Sequence, residues 1–199
     1  MKITGIKQQI KRADRYSIFV DEKYAFSLSE GELIASGVHS GQEVTPKELA
    51  AYKETSKLDK VYGAVLRLVA RRPRSERELR DYLRCKQYDE AVTQTTIKRL
   101  QENGLIDDQA FAKSWVENRR LLKPTSVRKL TLELRQKGIA DDIIRAVLDE
   151  DETTDTDTLK QLIVRKRRQI KYQDNDKLMQ YLARQGFGYD DIKTALADG

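Results

Sequence analysis

Three acidic pairs, Asp107-Asp108, Asp141-Asp142 and Asp190-Asp191, are the residues of this 199-residue chain best suited by type to hold a metal or to move protons. Either chemistry would need partners, and the chain has one histidine, His39, and one cysteine, Cys85, too few for a cysteine–histidine metal site or a histidine-assisted nucleophile. Each pair lies at the start of an apolar helical pattern, where an aspartate accepts hydrogen bonds from first-turn amides, so capping is the expected role. Cys85 follows a basic helix but lacks a histidine partner and reads as a partly buried thiol. There is no G-x-x-x-x-G-K-[ST] phosphate loop and no G-x-G-x-x-G following a strand. The expectation is a protein that is not an enzyme, with no catalytic residues, no metal and no cofactor.

The chemistry that the residues do offer is anion recognition. The formal net charge is +6 and the pI is near 9.3. Residues 1–55 balance 8 basic against 8 acidic groups, whereas 56–105 carry 12 against 7, 106–155 carry 9 against 11, and 156–199 carry 9 against 6. The positive surface is therefore expected on the outer helical segments, and an anionic partner follows from it. The candidate partner-binding or nucleic-acid-binding residues fall in three clusters: Arg71, Arg72, Arg74 and Arg77; Arg119, Arg120 and Lys123; and Arg165, Lys166, Arg167 and Arg168. Each follows an apolar helical run, where positive charge also complements the helix C-terminus.

The elements that must position these cations are mostly helical. Residues 1–55 read as a small β-rich lobe: strands within Lys2–Lys11, Tyr16–Val20 and Tyr24–Leu28, a turn at 21–23, a short helix capped by Ser29 and ended by Gly37, and a returning strand over Val38–Val44. Thr45, Pro46 and Glu48 open a further helix. From residue 56 the chain repeats itself. Leu79, Leu83 and Tyr88 recur as Leu130, Leu134 and Ile139, then as Leu178, Leu182 and Phe187, at offsets of 51 and 48; the caps Ser75, Ser126 and Asp174 keep that register. Gly138 and Gly186 suit left-handed helix termination, and Gln87 stands where the first repeat lacks the glycine.

The strongest helix-entry signal is in Gly104–Arg120. Asp107 caps, Ile106 and Phe111 form a hydrophobic staple, and Phe111, Ala112, Trp115 and Val116 share one face. Trp115 is expected in the core. Phe111 and Trp115 align with Leu159 and Ile163. The division predicted is a lobe at 1–55, three-helix repeats at 56–105, 106–149 and 157–199, and a flexible acidic linker at 150–156. No apolar run approaches the roughly 20 residues needed to span a bilayer, and the N-terminus lacks a signal peptide's apolar core, so a cytoplasmic monomer without membrane contact is expected.

Arg74-Ser75-Glu76 with Glu78-Leu79 and Leu83, Gly104-Leu105-Ile106-Asp107-Asp108 with Phe111-Ala112, Trp115 and Arg119, and Leu134-x-x-Lys137-Gly138-Ile139 resemble the RecX family of recombination regulators. The resemblance is strongest over residues 57–149 and extends more loosely over the whole chain. One departure is Pro124-Thr125, where many relatives place a glycine before the second helix. The resemblance implies a mainly α fold of tandem three-helix, helix-turn-helix-like repeats in an elongated curved array behind a small β-rich lobe. It further implies a protein that binds the RecA recombinase filament in its helical groove, modulating strand exchange, ATP hydrolysis and co-protease activity, mostly by inhibition. Single- or double-stranded DNA is a second partner to consider. The alternative drawn from the residues alone is a stand-alone basic nucleic-acid-binding regulator, against which no second helix offers Asn, Gln and Arg at successive turns for base reading.

Overall fold

The computed structural model describes residues 1–197, and among them ten α-helices follow one three-stranded sheet. The chain divides into two compact units, Met1–Pro73 with Tyr82–Leu105, and Arg74–Asp81 with Ile106–Gly199.

In the first unit, β1 (Ile3–Gln9), β2 (Arg12–Val20) and β3 (Lys23–Ser29) form an antiparallel meander in the order β1-β2-β3. Asp21 and Glu22, both at positive φ, make the tight β2–β3 turn, the left-handed pair that matches the twist of a hairpin. Ser29 caps α1 (Glu30–Ser36), and Gly37 ends it at φ +64°. The expected strand over Val38–Val44 is reduced to a single bridge between Lys2 and Glu43. Gly41 at φ +91° turns the backbone out of the extended conformation, although Val38 and Val44 still enter the core with Ile3, Ile18 and Leu28.

A capping box of Thr45 and Glu48, with Pro46 in the first turn, starts α2, which continues without a break from Pro46 to Val69 and so passes through the expected boundary at 55/56. Nothing near Ser56 breaks a helix, and α2 is tied to β3 where the boundary was expected. Ser56 Oγ donates to Ser27 O (2.6 Å), and Asp59 accepts from Ser29 N (2.8 Å) and pairs with the buried Arg15 (2.8 Å). Within this unit Arg99 and Asn103 of α4 (Glu90–Glu102 with its C-cap) meet the Tyr62 ring and hydroxyl of α2. The helix α3 (Glu76–Cys85) buries Leu79 and Leu83.

The second unit holds two further sets of helices: α5 (Asp108–Leu122), α6 (Val127–Gln136) and α7 (Asp141–Asp149), then α8 (Asp155–Arg167), a 3-10 turn (Ile170–Tyr172), α9 (Asn175–Arg184) and α10 (Tyr189–Ala197). Each set closes its own core, with Leu130, Leu134 and Ile139 in one and Leu178, Leu182 and Phe187 in the other, as the repeat register predicts. The first helices align differently from expectation. Asp108 and Asp155 both begin their helices, and Ala112 and Val116 correspond to Leu159 and Ile163, so one residue is lost between the repeats and the offset is 47.

The joint between neighbouring repeats is itself repeated. Ser75 Oγ donates to Lys137 O (2.7 Å) while Asp108 accepts from Glu76 N (2.9 Å); 51 residues on, Ser126 Oγ donates to Gln185 O (3.2 Å) while Asp155 accepts from Val127 N (2.8 Å). This explains the glycines. Gln87, Gly138 and Gly186 all have positive φ, of 60°, 81° and 94°. A Cβ on Gly138 would lie 2.2 Å from Arg77 Cδ, and one on Gly186 would lie 2.4 Å from Ser126 Oγ, because another second helix crosses there. Gln87 keeps its side chain exposed. No helix among the described residues is long and apolar enough to cross a membrane.

Candidate anion-binding clefts

The acidic pairs do not form one kind of site. Asp107 caps α5 by accepting from Gln109 N (2.8 Å) and Ala110 N (3.0 Å). Asp108 serves the repeat joint, and its burial raises the carboxyl pKa above the ordinary aspartate value. Asp141, expected to cap α7, instead pairs with Arg135 (2.7 Å), whose hydrogen bond lowers its pKa; the cap position is Ala140, which makes no side-chain bond. Asp190 and Asp191 lie in the first turn of α10. No group of three potential metal ligands occurs among the described residues, and Cys85 is exposed, not partly buried.

The cationic clusters fare unequally. Arg119 and Arg120 are neighbours in sequence, but the helix turns them about 100° apart. Arg119 Nε donates to Glu133 (2.7 Å) and its guanidinium lies 4.8 Å from the Trp115 ring centre. Trp115 is half-buried, stacks on Phe111 and donates Nε1–H to the same Glu133 (3.0 Å), so it belongs to the edge of the core. Arg120 points the other way, into a nearly buried ion pair with Asp151 (2.7 Å; side chains 11% and 12% exposed). Its Nη1 also donates to Thr125 O (2.8 Å) and Thr158 Oγ1 (3.1 Å), and its Nη2 to Thr153 O (3.3 Å). Arg120 thus binds the expected flexible linker to both flanking repeats, and Thr154, within that stretch, already caps α8. Arg167 repeats part of this pattern, donating to Gln173 O (2.8 Å) and to Asn175 Oδ1, so it too is engaged within the fold.

Of the remaining cations of the second and third clusters, four converge, while Arg168 is exposed outside their cleft. Arg119, Lys123, Arg165 and Lys166 line one cleft of about 560 Å³, joined by Lys129 and faced by a single carboxylate, Glu133. The sequence places these in separate clusters; the fold brings α5, α6 and α8 together so that they share a surface. Lys166 lies over the Tyr181 and Tyr172 rings at 4.5 and 5.3 Å. Tyr181 stands where the preceding repeat has Glu133, so the acid that neutralises Arg119 is replaced by a ring beside Lys166. Among the described residues Lys123, Arg165, Lys166 and Arg168 form no ion pair. Positive charge that the fold does not itself compensate is what an anionic partner would find.

The first cluster is more dispersed. Arg71 and Arg72 are exposed, with Arg72 Nη1 donating to Pro73 O (2.9 Å). Arg74 is half-buried with its Nε lacking a hydrogen-bond partner, and Arg77 reaches Asp81 at 3.8 Å while its stem covers Gly138.

Sequence reasoning missed Arg128, Lys129, Arg135 and Arg184, which border a second cleft of about 580 Å³ between α6 and α9. Their signal is the polar face of α6, which carries no base-reading pattern but is rich in cations. It also missed Lys53, Lys57 and Lys60, which line a cleft of about 290 Å³ with Tyr24 and Tyr88 in the first unit, since a zero net charge says nothing about where charges lie.

Tandem three-helix repeats that follow a small sheet in the chain, with cationic clefts on their surface, define a protein of the helical-repeat class. The chain belongs to the RecX family of regulatory proteins. Family models match in order along it: the RecX N-terminal domain over 1–45, and the first, second and third RecX three-helix domains over 62–100, 107–148 and 153–196. It is 30% identical to the regulatory protein RecX of Clostridium botulinum (strain Alaska E43 / Type E3), over 99% of this chain and 95% of that one. It is likewise 30% identical to that of Listeria monocytogenes serotype 4a (strain HCC23), over 100% and 76%. A crystal structure of a regulatory protein RecX superposes with a TM-score of 0.73 at 29% identity, covering 97% and 98%. That of RecX from Lactobacillus salivarius gives 0.59 at 25%, covering 71% and 95%.

Proposed function

We propose that this protein binds RecA–DNA filaments within their helical groove and restrains strand exchange, ATP hydrolysis and co-protease activity, acting as a cytoplasmic monomer. The observation that carries the reading is the cleft of Arg119, Lys123, Lys129, Arg165 and Lys166, five cations facing one carboxylate. Such a surface attracts carboxylates of a filament wall or phosphates held within it, and occupying a groove blocks a filament without any bond being made or broken, so no enzymatic step is needed. The exposed Arg71 and Arg72 supply a further cationic contact, and several separate contacts on one chain bind a repetitive partner at high effective concentration. The repeat joints and the Arg120 tie hold repeats two and three in one arrangement, which fixes the spacing of their cations.

The test compares affinity for RecA–DNA filaments, DNA alone and RecA alone at one salt concentration. Preferential binding to the filament, weakened by Lys123→Glu/Arg165→Glu/Lys166→Glu, is the expected result. Equal affinity for bare DNA would point instead to a stand-alone nucleic-acid-binding regulator.

A further inference from the structure

The cleft between α6 and α9 differs in character from its neighbour. Its floor is apolar, made by Leu132, Ala183 and Phe187, and its rim is cationic, with Arg128, Lys129 and Arg184 beside it and Arg135 at one end. Leu132 is 55% exposed, on the outward side of a helix that buries Leu130 and Leu134. Arg128, Thr131, Leu132 and Arg135 recur at the spacing of one outward helical face, with the two arginines roughly 10.5 Å apart along the axis. No carboxylate lines the cleft; Arg135 pairs with Asp141 at the surface, while Arg128 and Arg184 have no ion-pair partner among the described residues.

We infer that this cleft is a docking groove for an acidic amphipathic helix of a partner protein. The apolar ridge of such a helix, at i, i+3 and i+7, covers Leu132 and the Ala183–Phe187 wall, and its flanking aspartates or glutamates meet Arg128 and Arg184. A nucleic-acid strand fits less well. It would satisfy the rim but leave the aliphatic floor uncovered, and the only ring in the lining, Phe187, is 6% exposed and offers no face for a base to stack on. The inference goes beyond the filament reading, because it concerns the adjoining groove, which shares only Lys129 with that cleft, and holds for whichever protein carries the helix.

The probe is a fluorescein-labelled helical peptide of about fourteen residues, roughly 21 Å long, with leucines along one stripe flanked by glutamates. Its affinity for the full chain is read by anisotropy, beside a version with alanine for leucine and a single-stranded oligonucleotide of equal net charge. Saturable binding is expected. It should weaken at least about tenfold with Leu132→Glu, with Arg128→Glu/Arg184→Glu and with the alanine peptide, since charge and apolar contact act together. Lys123→Glu/Arg165→Glu, in the adjoining cleft, should leave it within about twofold. These residues are exposed, so melting should be unchanged; should Leu132→Glu melt early, Leu132→Ser serves in its place. No saturable binding, equal binding of the alanine peptide, or tighter binding of the oligonucleotide at this face would overturn the inference.

Discussion

Replacing Arg120 should unfold more than it unbinds. The substitution to examine is Arg120→Met, which keeps the stem and removes the guanidinium. Arg120 forms an ion pair with Asp151 at 2.7 Å between side chains 11% and 12% exposed, and adds bonds to Thr125 O, Thr158 Oγ1 and Thr153 O. Had both groups been solvated, the pair would contribute about 0 to 1 kcal/mol. Shielded as they are, removing one partner strands the Asp151 carboxylate and leaves three acceptors short of a donor, so the loss should approach the roughly 3 to 5 kcal/mol seen for broken buried pairs. In urea this shifts the midpoint by at least about 1 M at constant slope. Arg120→Met/Asp151→Leu should recover much of the loss, because the stranded charge leaves with its partner. Arg119→Met should cost only about 1 kcal/mol, its pair with Glu133 being 27% and 18% exposed. An unchanged midpoint for Arg120→Met, with binding abolished, would refute the structural role and return Arg120 to the partner surface.

Three further outcomes follow from the joints and the core edge. Gly138→Ala should destabilise by more than about 2 kcal/mol, combining a positive φ with a Cβ placed against Arg77, whereas Gln87→Gly should stabilise by about 0.5 to 1 kcal/mol by relieving a left-handed non-glycine residue. Thermal melts of both distinguish a shared turn geometry from coincidence. Asp108 has a raised carboxyl pKa through burial, so its neutral form is favoured by folding: the stability it contributes is present below pH 3.8 and is lost as pH rises through the folded value. The difference in stability between Asp108→Asn and the parent should therefore grow in favour of asparagine over that interval, and a constant difference would argue against burial as the cause. Trp115→Ala should lower stability by about 3 kcal/mol, near the bottom of the range for a core aromatic because the ring is half-buried.

The parts of the fold that were legible in the sequence are those set by local rules. Leu130, Leu134 and Ile139, with their counterparts at 178, 182 and 187, announce the second helices because period, cap and left-handed exit agree. The turn at Asp21-Glu22 and the caps Ser29, Thr45 and Asp107 are legible for the same reason. What was not legible depends on which face meets which neighbour. Arg119 and Arg120 look alike in sequence, yet one lines a cleft and the other is consumed in a tie, a difference made by one residue's rotation about α5. The convergence of Lys123 with Arg165 arises only when α5 and α8 pack. Ser75 and Asp108 revealed their helix starts but not that they also join repeats; Asp155, read as part of the acidic linker, does both, and the unbroken α2 hid a boundary drawn from a change in composition.

The most direct measurement is the salt dependence of binding to RecA–DNA filaments for the parent chain and for Lys123→Glu/Arg165→Glu/Lys166→Glu, with melting curves taken on both. If the cleft of α5, α6 and α8 is the electrostatic contact, the variant melts with the parent, binds more weakly, and shows a log–log slope shallower by roughly one for each phosphate-type interaction removed. Equal affinity and an identical slope in a folded variant would contradict the central claim.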